Sequence, residues 1–254
     1  MPDALTPAAP QQVGADVRTV GVVGDGPAAD AVAQALQGAD VDVVRPAGDD
    51  LAALAEVDLV LEAGADDVET ARAVFARLDA VCRPGAVLAT TARTVPVIEC
   101  AAATERPSDV VGARFVAPTP AGRVVEVVST VTSSAGAADA VAGLVQRVGA
   151  YPVRCPDRAG GVVDALLFPY LNDAVRTVDT GYASADDVDT AMTAGCGYPA
   201  GPFAVLDDVG LDVALDVQRR LLAEQREPGL APSPLLEQAR HRRPARTRHR
   251  PGFR

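Results

Sequence analysis

The run Gly24-Asp25-Gly26-Pro27-Ala28-Ala29 places small residues at the spacing G-x-G-x-x-A. That spacing suits a loop whose backbone receives a dinucleotide pyrophosphate. The first glycine allows a tight turn, the second lets a phosphate reach the backbone, and the third small residue lets helix and strand close up. Pro27 suits the first turn of a helix. Two charges depart from this chemistry. Asp25 sets a carboxylate where the phosphates would lie, and like charges at ~4 Å repel by about 1 kcal/mol in water and a few times that in a partly buried site. Arg45 stands where the second strand ends, a place that in such sites carries an acid for the ribose hydroxyls. It is either a surface charge at a strand end or an acceptor for a ribose 2′-phosphate. Acid–base chemistry has little to draw on. The chain has 2 histidines, His241 and His249, and both fall near its C-terminal end.

These residues need elements to position them. Residues 17–23 form a β-branched run, residues 28–36 a small-residue helical stretch, and residues 41–44 a second strand. Strands are predicted again at 57–61, 86–90, 110–116 and 124–128, and helices at about 66–80, 96–104 and 137–148. Strand and helix alternate, which predicts an α/β fold with a mostly parallel, Rossmann-type sheet covered on both faces. Beyond Asp157 no strand is read. Residues 162–180 form one long helical pattern, and Pro169 inside it should cause a kink. Ser184 with Asp186 and Asp187 marks a helix start. One further helix is expected over about 202–224 and a last one near 232–240. The expected organisation is a disordered leader (1–16), a dinucleotide-binding domain (17–157), an all-α C-terminal domain (158–239) and a basic tail (240–254).

Composition bounds the function classes. A chain of 254 residues that is 48 % hydrophobic can bury a sizeable core. No apolar run approaches the roughly 20 residues of a membrane span. The leader lacks the basic and apolar regions of a secretory signal. The 4 cysteines show no CxxC spacing, so reduced, buried thiols in a cytoplasmic protein are expected and no metal site. All 23 basic residues are arginine, against 34 acidic residues. Residues 240–254 hold 7 of those arginines and no acid, so the rest of the chain carries 16 basic residues and a net charge of −18. Such an acidic body argues against nucleic-acid binding by its main surface. The tail is read as a solvated end.

Three stretches together resemble the 3-hydroxyacyl-CoA dehydrogenases, including their 3-hydroxybutyryl-CoA branch. The first is Val57-Asp58-Leu59-Val60-Leu61-Glu62-Ala63 with the following Ala73-Val74-Phe75. The second runs from 88 to 126 through Thr104-Glu105-Arg106-Pro107 and Val111-Gly112. The third, the most specific, contains Pro169-Tyr170-Leu171-Asn172-Asp173-Ala174. It continues through Asp189-Thr190-Ala191-Met192, Gly195-Cys196-Gly197-Tyr198-Pro199-Ala200-Gly201-Pro202 and Asp207-Asp208-Val209-Gly210-Leu211-Asp212. The resemblance implies an NAD-binding domain followed by a helical domain that dimerises. It implies hydride transfer between C3 of a 3-hydroxyacyl-CoA and nicotinamide. In that chemistry a histidine takes the hydroxyl proton, a glutamate orients it, and a serine and an asparagine hold the substrate oxygen. Such a base must be poised near neutral pH.

Carried over by motif, the glutamate is Glu126, the histidine's place is taken by Arg114, the serine's by Arg93 and the substrate-side asparagine's by Asp164. Ala117 replaces a further asparagine of the histidine segment. Arginine stays protonated at any working pH and cannot serve as base. Arg114 is expected to pair with Glu126 as a structural ion pair, or, with Arg93, to bind an anion where the thioester would lie. Asp164 is a candidate partner for Arg93. Tyr170 reads as a core residue, and no replacement base is found. Two readings follow. One is an NAD- or NADP-linked dehydrogenase of altered activity. The other is a catalytically silent relative that binds a nucleotide, an acyl-CoA or another anionic small molecule.

Overall fold

The computed structural model describes residues 17–48, 50–116 and 124–241. By Cα proximity the chain resolves into two compact units that change over between Asp157 and Arg158.

The first unit is a seven-stranded sheet in the order β2-β1-β3-β4-β5-β6-β7. Its strands are β1 (Thr19–Val23), β2 (Asp42–Val44), β3 (Leu59–Glu62), β4 (Val87–Thr90), β5 (Val110–Phe115), β6 (Val124–Ser129) and β7 (Tyr151–Pro156). Every pairing is parallel except β5 with β6. The interleaved helices are α1 (Pro27–Leu36), α2 (Val68–Val81), α3 (Val97–Ala101) and α4 (Ala135–Arg147). Side chains alternate across a strand, and here both faces are dry. Val20, Val22, Leu59, Leu61, Ala89, Ala113 and Val127 pack with α1 and α4 on one face. Val60, Leu88, Val110 and Val128 pack with α2 and α3 on the other. That is why the strands read as continuous apolar runs. Strand β7 was not expected from the sequence. Its burial is patchy, with Cys155 its one buried residue, so it shows neither clean alternation nor a full apolar run.

Helix starts follow local chemistry. Asp67 Oδ1 accepts the Thr70 N–H at 2.9 Å to open α2, and Ser134 Oγ accepts that of Ala137 at 3.1 Å to open α4. Helix α3 is shorter than the sequence pattern suggests.

The second unit, as described, is helical: α5 (Val163–Asp179), α6 (Ala185–Thr190), α7 (Pro202–Val209), α8 (Leu211–Gln225) and α9 (Pro234–His241). Helix α5 runs through Pro169 as a single element. Ser184 caps α6 as expected, its Oγ accepting the Asp187 N–H at 3.2 Å. The single helix expected over 202–224 is instead two, because Gly210 adopts φ 98° and breaks it. Phe168, Leu171, Phe203, Leu206, Leu215 and Leu221 form the core. Polar motif residues hold the connections. Asp189 accepts the N–H groups of Phe203 (2.8 Å) and Ala204 (3.1 Å) and so caps α7 from another helix. Asn172 Nδ2 donates to the Ala231 carbonyl at 3.0 Å, and its Oδ1 accepts the Ser233 N–H at 2.8 Å.

Among the described residues no helix is long and apolar enough to cross a membrane, and no group of three or more His, Cys, Asp or Glu is placed to hold a metal ion.

Candidate functional site

The sheet reverses its strand order about β1, with β2 on one side and β3 on the other. In doubly wound folds ligands bind at such a switch point, beyond the carboxyl ends of the strands. Here that end of β1 carries Gly24, Asp25 and Gly26, and α1 opens with Pro27, Ala28 and Ala29. Gly24 has φ 124°, and a Cβ on it would lie 2.8 Å from both the Ala63 carbonyl carbon and the Gly64 nitrogen. Only glycine lets the β1 and β3 loops close in this way. Gly26, at φ 92°, is the opposite case, since no atom lies within 4 Å of where its Cβ would be. Its backbone faces open space beside the first turn of a 10-residue helix. This cradle fits a dinucleotide pyrophosphate. Ala29 is buried against the sheet, while Asp25 is exposed.

Arg45 directly follows β2. Its Nη1 donates to Asp30 Oδ1 at 2.8 Å, and both side chains are exposed. Asp30, in the first turn of α1, had not been singled out from the sequence. Nor had Glu62, the last residue of β3, which is buried. Glu62 Oε1 accepts the N–H groups of Gly64 (2.7 Å) and Ala65 (2.6 Å), and its Oε2 accepts the Thr90 hydroxyl at 3.0 Å. Thr90 Oγ1 in turn accepts the Ala92 N–H at 3.1 Å. Glu62 therefore fixes both the loop facing Gly24 and the loop carrying Arg93. Arg93 is half-buried.

The positions aligned by resemblance come together in part. Arg114 on β5 and Glu126 on β6 are register partners across the antiparallel pair, so their side chains share the face that packs against α3. Both are buried, at 5 % and 3 % exposure. Arg114 makes an ion pair with Asp157, at 3.4 Å from Nη2 to Oδ1, with side chains 6 % and 8 % exposed. Asp157 Oδ2 also accepts the Ile98 N–H at 2.9 Å, at the start of α3. Glu126 is thus opposite Arg114 as expected, but the acid bridging β5 to α3 was missed. Only its place at the end of the α/β half marks it in the sequence.

Cys155, on β7, lies within the influence of these charges. Burial first, then the charges of Glu126 and Asp157, push its thiol up to about 11 against the opposing pull of Arg114. Burial, then Glu62 and Asp157, push Cys100 up to about 12. Neither thiol is a nucleophile at neutral pH.

Asp164 sits buried in the first turn of α5, in the second unit. Tyr170 packs edge-on against Tyr198, with ring centroids 5.8 Å apart. Burial, then Tyr198 and Asp189, push its hydroxyl up to about 12, which removes it as a base. The leader, Ala117 and residues 242–254 of the tail, His249 among them, lie outside the described residues.

The sheet order and the glycine cradle define a dinucleotide-binding α/β domain joined to a helical unit. The chain matches the family description "3-hydroxyacyl-CoA dehydrogenase, NAD binding domain" over residues 45–158 and the corresponding C-terminal domain over residues 160–253. It is 42 % identical to a Mycobacterium tuberculosis 3-hydroxybutyryl-CoA dehydrogenase over 189 residues, covering 74 % of this chain and 66 % of that relative's length. The human mitochondrial hydroxyacyl-coenzyme A dehydrogenase is 37 % identical over 61 % of this chain and 49 % of its own length. The solved structure of M. tuberculosis FadB2 superposes with a TM-score of 0.85 at 33 % identity, covering 89 % of this chain and 94 % of that one. The (S)-3-hydroxybutyryl-CoA dehydrogenase of Ralstonia eutropha superposes with a TM-score of 0.80 at 26 % identity, covering the same shares. The chain belongs to the 3-hydroxyacyl-CoA dehydrogenase family.

Proposed function

We propose that this chain is a catalytically silent member of its family, which binds a nicotinamide dinucleotide, NAD or NADP, in the glycine cradle and carries out no hydride transfer at the family's usual rate. The observation that carries the reading is Arg114. By the motif carry-over it stands in the place of the family's proton-accepting histidine, and it is 5 % exposed and ion-paired with Asp157. A guanidinium cannot take a proton from an alcohol. A bound nicotinamide would supply the hydride acceptor, but the hydroxyl proton would have no place to go. Glu126, in the place of the orienting glutamate, faces a permanent cation across the β5–β6 ladder.

Gly24, Gly26 and the opening turn of α1 would hold the pyrophosphate through backbone N–H groups. Arg93, half-buried on the loop after β4, favours an anionic small molecule, such as an acyl-CoA, over a neutral one. A homodimer through the helical unit and a cytoplasmic setting belong to the same reading, in a regulatory or structural role.

The test follows NADH and NADPH consumption with acetoacetyl-CoA. The wild-type chain is expected to show none above background. A variant carrying Arg114→His, Arg93→Ser and Asp164→Asn is expected to gain turnover. Clear turnover by the wild type, with sustained oxidation of either cofactor, would overturn the reading.

A further inference from the structure

We infer that the adenosine end of the dinucleotide site is built for a ribose 2′-phosphate, with Arg45 as the recognising residue and Asp30 as the residue that positions it. The inference rests on the cradle described above and names which of the two dinucleotides it takes.

A ribose with free 2′- and 3′-hydroxyls is held by a carboxylate at the end of the second strand. Here β2 ends at Val44 and the next residues are Arg45 and Pro46. Asp42, Asp50 and Glu62 are otherwise placed. Asp42 opens β2 and so lies at its far end. Asp50 Oδ1 accepts the Ala52 N–H at 3.1 Å. Glu62 is buried on the N–H groups of Gly64 and Ala65. The residue at the ribose position is therefore a cation, 41 % exposed along its side chain.

That cation is held in place. Asp30 takes Arg45 through a single nitrogen, Nη1, at 2.8 Å. The Nε and Nη2 donors of Arg45 make no hydrogen bond to any described residue. A guanidinium held by one corner keeps a fork for a second, bidentate acceptor, and phosphate fits that fork. Asp30 lies in the first turn of α1, the helix whose N-terminus borders the pyrophosphate cradle. The pair thus ties the phosphate-recognising side chain to the element that binds the rest of the cofactor. An exposed carboxylate–guanidinium pair is weak. A phosphate monoester carries close to two negative charges at neutral pH and competes with Asp30 rather than being excluded by it. Asp30 therefore orients Arg45 and also moderates the preference.

The experiment is calorimetric and independent of turnover. The full chain is titrated with 5′-ADP, 2′,5′-ADP, NADH and NADPH at low and at physiological salt. The expected result is that 2′,5′-ADP binds about tenfold tighter than 5′-ADP, the gain from one charge-assisted bidentate contact, and that the gain shrinks with salt. NADPH should exceed NADH in the same sense. Arg45→Ala should erase the difference by bringing 2′,5′-ADP down to the affinity of 5′-ADP, a loss of about tenfold. Asp30→Asn should widen the difference severalfold. Equal affinity for the two nucleotides in the wild type overturns the inference and leaves dinucleotide binding standing. A preference that survives Arg45→Ala also overturns it. A loss of 5′-ADP binding in Asp30→Asn would assign Asp30 to the ribose hydroxyls and overturn it as well. If none of the four ligands binds, both the inference and the cofactor part of the proposed function fall.

Discussion

Replacing Asp157 by asparagine tests whether Arg114 is held as a structural ion. The two side chains are 6 % and 8 % exposed and lie 3.4 Å apart. Removing one charge of a buried pair costs about 3–5 kcal/mol, because the other charge is left uncompensated. Two features set the expected loss at the low end of that range. The separation is long for an ion pair, and Glu126 stands opposite Arg114 in register and offers a second carboxylate. The amide can still accept the Ile98 N–H, so the anchor of α3 is retained. A loss of about 3 kcal/mol corresponds to a Tm lowered by roughly 6–12 °C for a domain of this size. Urea and thermal unfolding followed by circular dichroism would measure it, with Asp30→Asn as an exposed-pair control expected to cost less than about 1 kcal/mol. A double-mutant cycle with Arg114→Met isolates the pairwise energy, expected at about 1 kcal/mol or more. If Asp157→Asn costs no more than the control and the coupling is near zero, Arg114 is not tied down. The reading of this position as structural then fails.

Three further outcomes follow from the geometry. Burial works against Asp58, but the N–H groups of Thr19 and Arg18, Arg83 and the Thr19 hydroxyl together lower its carboxyl to about 2. A lowered folded-state pKa gives stability that is present above the unfolded value near 4 and lost as pH falls toward 2. Asp58→Asn should therefore remove about 1–2 kcal/mol at pH 6 and little at pH 2, and an equal loss at both pH values in urea titrations would sink the assignment. Gly24→Ala should disrupt the β1 loop, since its Cβ meets backbone at 2.8 Å, whereas Gly26→Ala should fold with about 1–2 kcal/mol of backbone strain and lose dinucleotide binding. Retained binding in a folded Gly26→Ala protein would argue against the cradle. Of the free cysteines Cys196 is exposed and the other three are buried, so a thiol reagent should label Cys196 in the native protein and all four after denaturation. Rapid native labelling of Cys100 or Cys155 would contradict their burial.

How much of this was legible in the sequence differs by element. The sheet was readable because strands such as Leu59–Glu62 are buried on both faces and carry apolar runs, here Leu59-Val60-Leu61. Strand β7 was not, because Tyr151 is exposed and only Cys155 is buried. The break at Gly210 was hidden because the apolar pattern continues through it from α7 into α8. The helical-unit motifs were readable as family, and the structure shows what several of them do. Asp189 caps a neighbouring helix and Asn172 pins the segment before α9. These jobs are architectural, so such motifs can persist without the chemistry. The site was less legible because its decisive contacts are long-range. Asp157 meets Arg114 across 43 positions of sequence and Asp30 meets Arg45 across 15, and neither acid belongs to a motif.

The pair also determines what restoring the histidine alone would achieve. In Arg114→His the imidazole would replace the guanidinium on the same strand position, facing Glu126 across the β5–β6 ladder with Asp157 close by. Both carboxylates favour the charged imidazolium, so the base form would be available only at raised pH. Oxidation of a hydroxyl needs that neutral base, whereas reduction of a ketone needs the protonated acid. The Arg114→His, Arg93→Ser, Asp164→Asn variant should therefore reduce acetoacetyl-CoA more readily than it oxidises 3-hydroxybutyryl-CoA near pH 7, with an oxidation profile displaced to alkaline pH. Adding Asp157→Asn removes one of the two charges and should move that profile back toward neutrality. Each charge worth about 1.4 kcal/mol at this site shifts the profile by one pH unit. Identical profiles with and without Asp157→Asn would show that Asp157 does not act on this position, and the proposed silence would then rest on the guanidinium of Arg114 itself rather than on its ion pair.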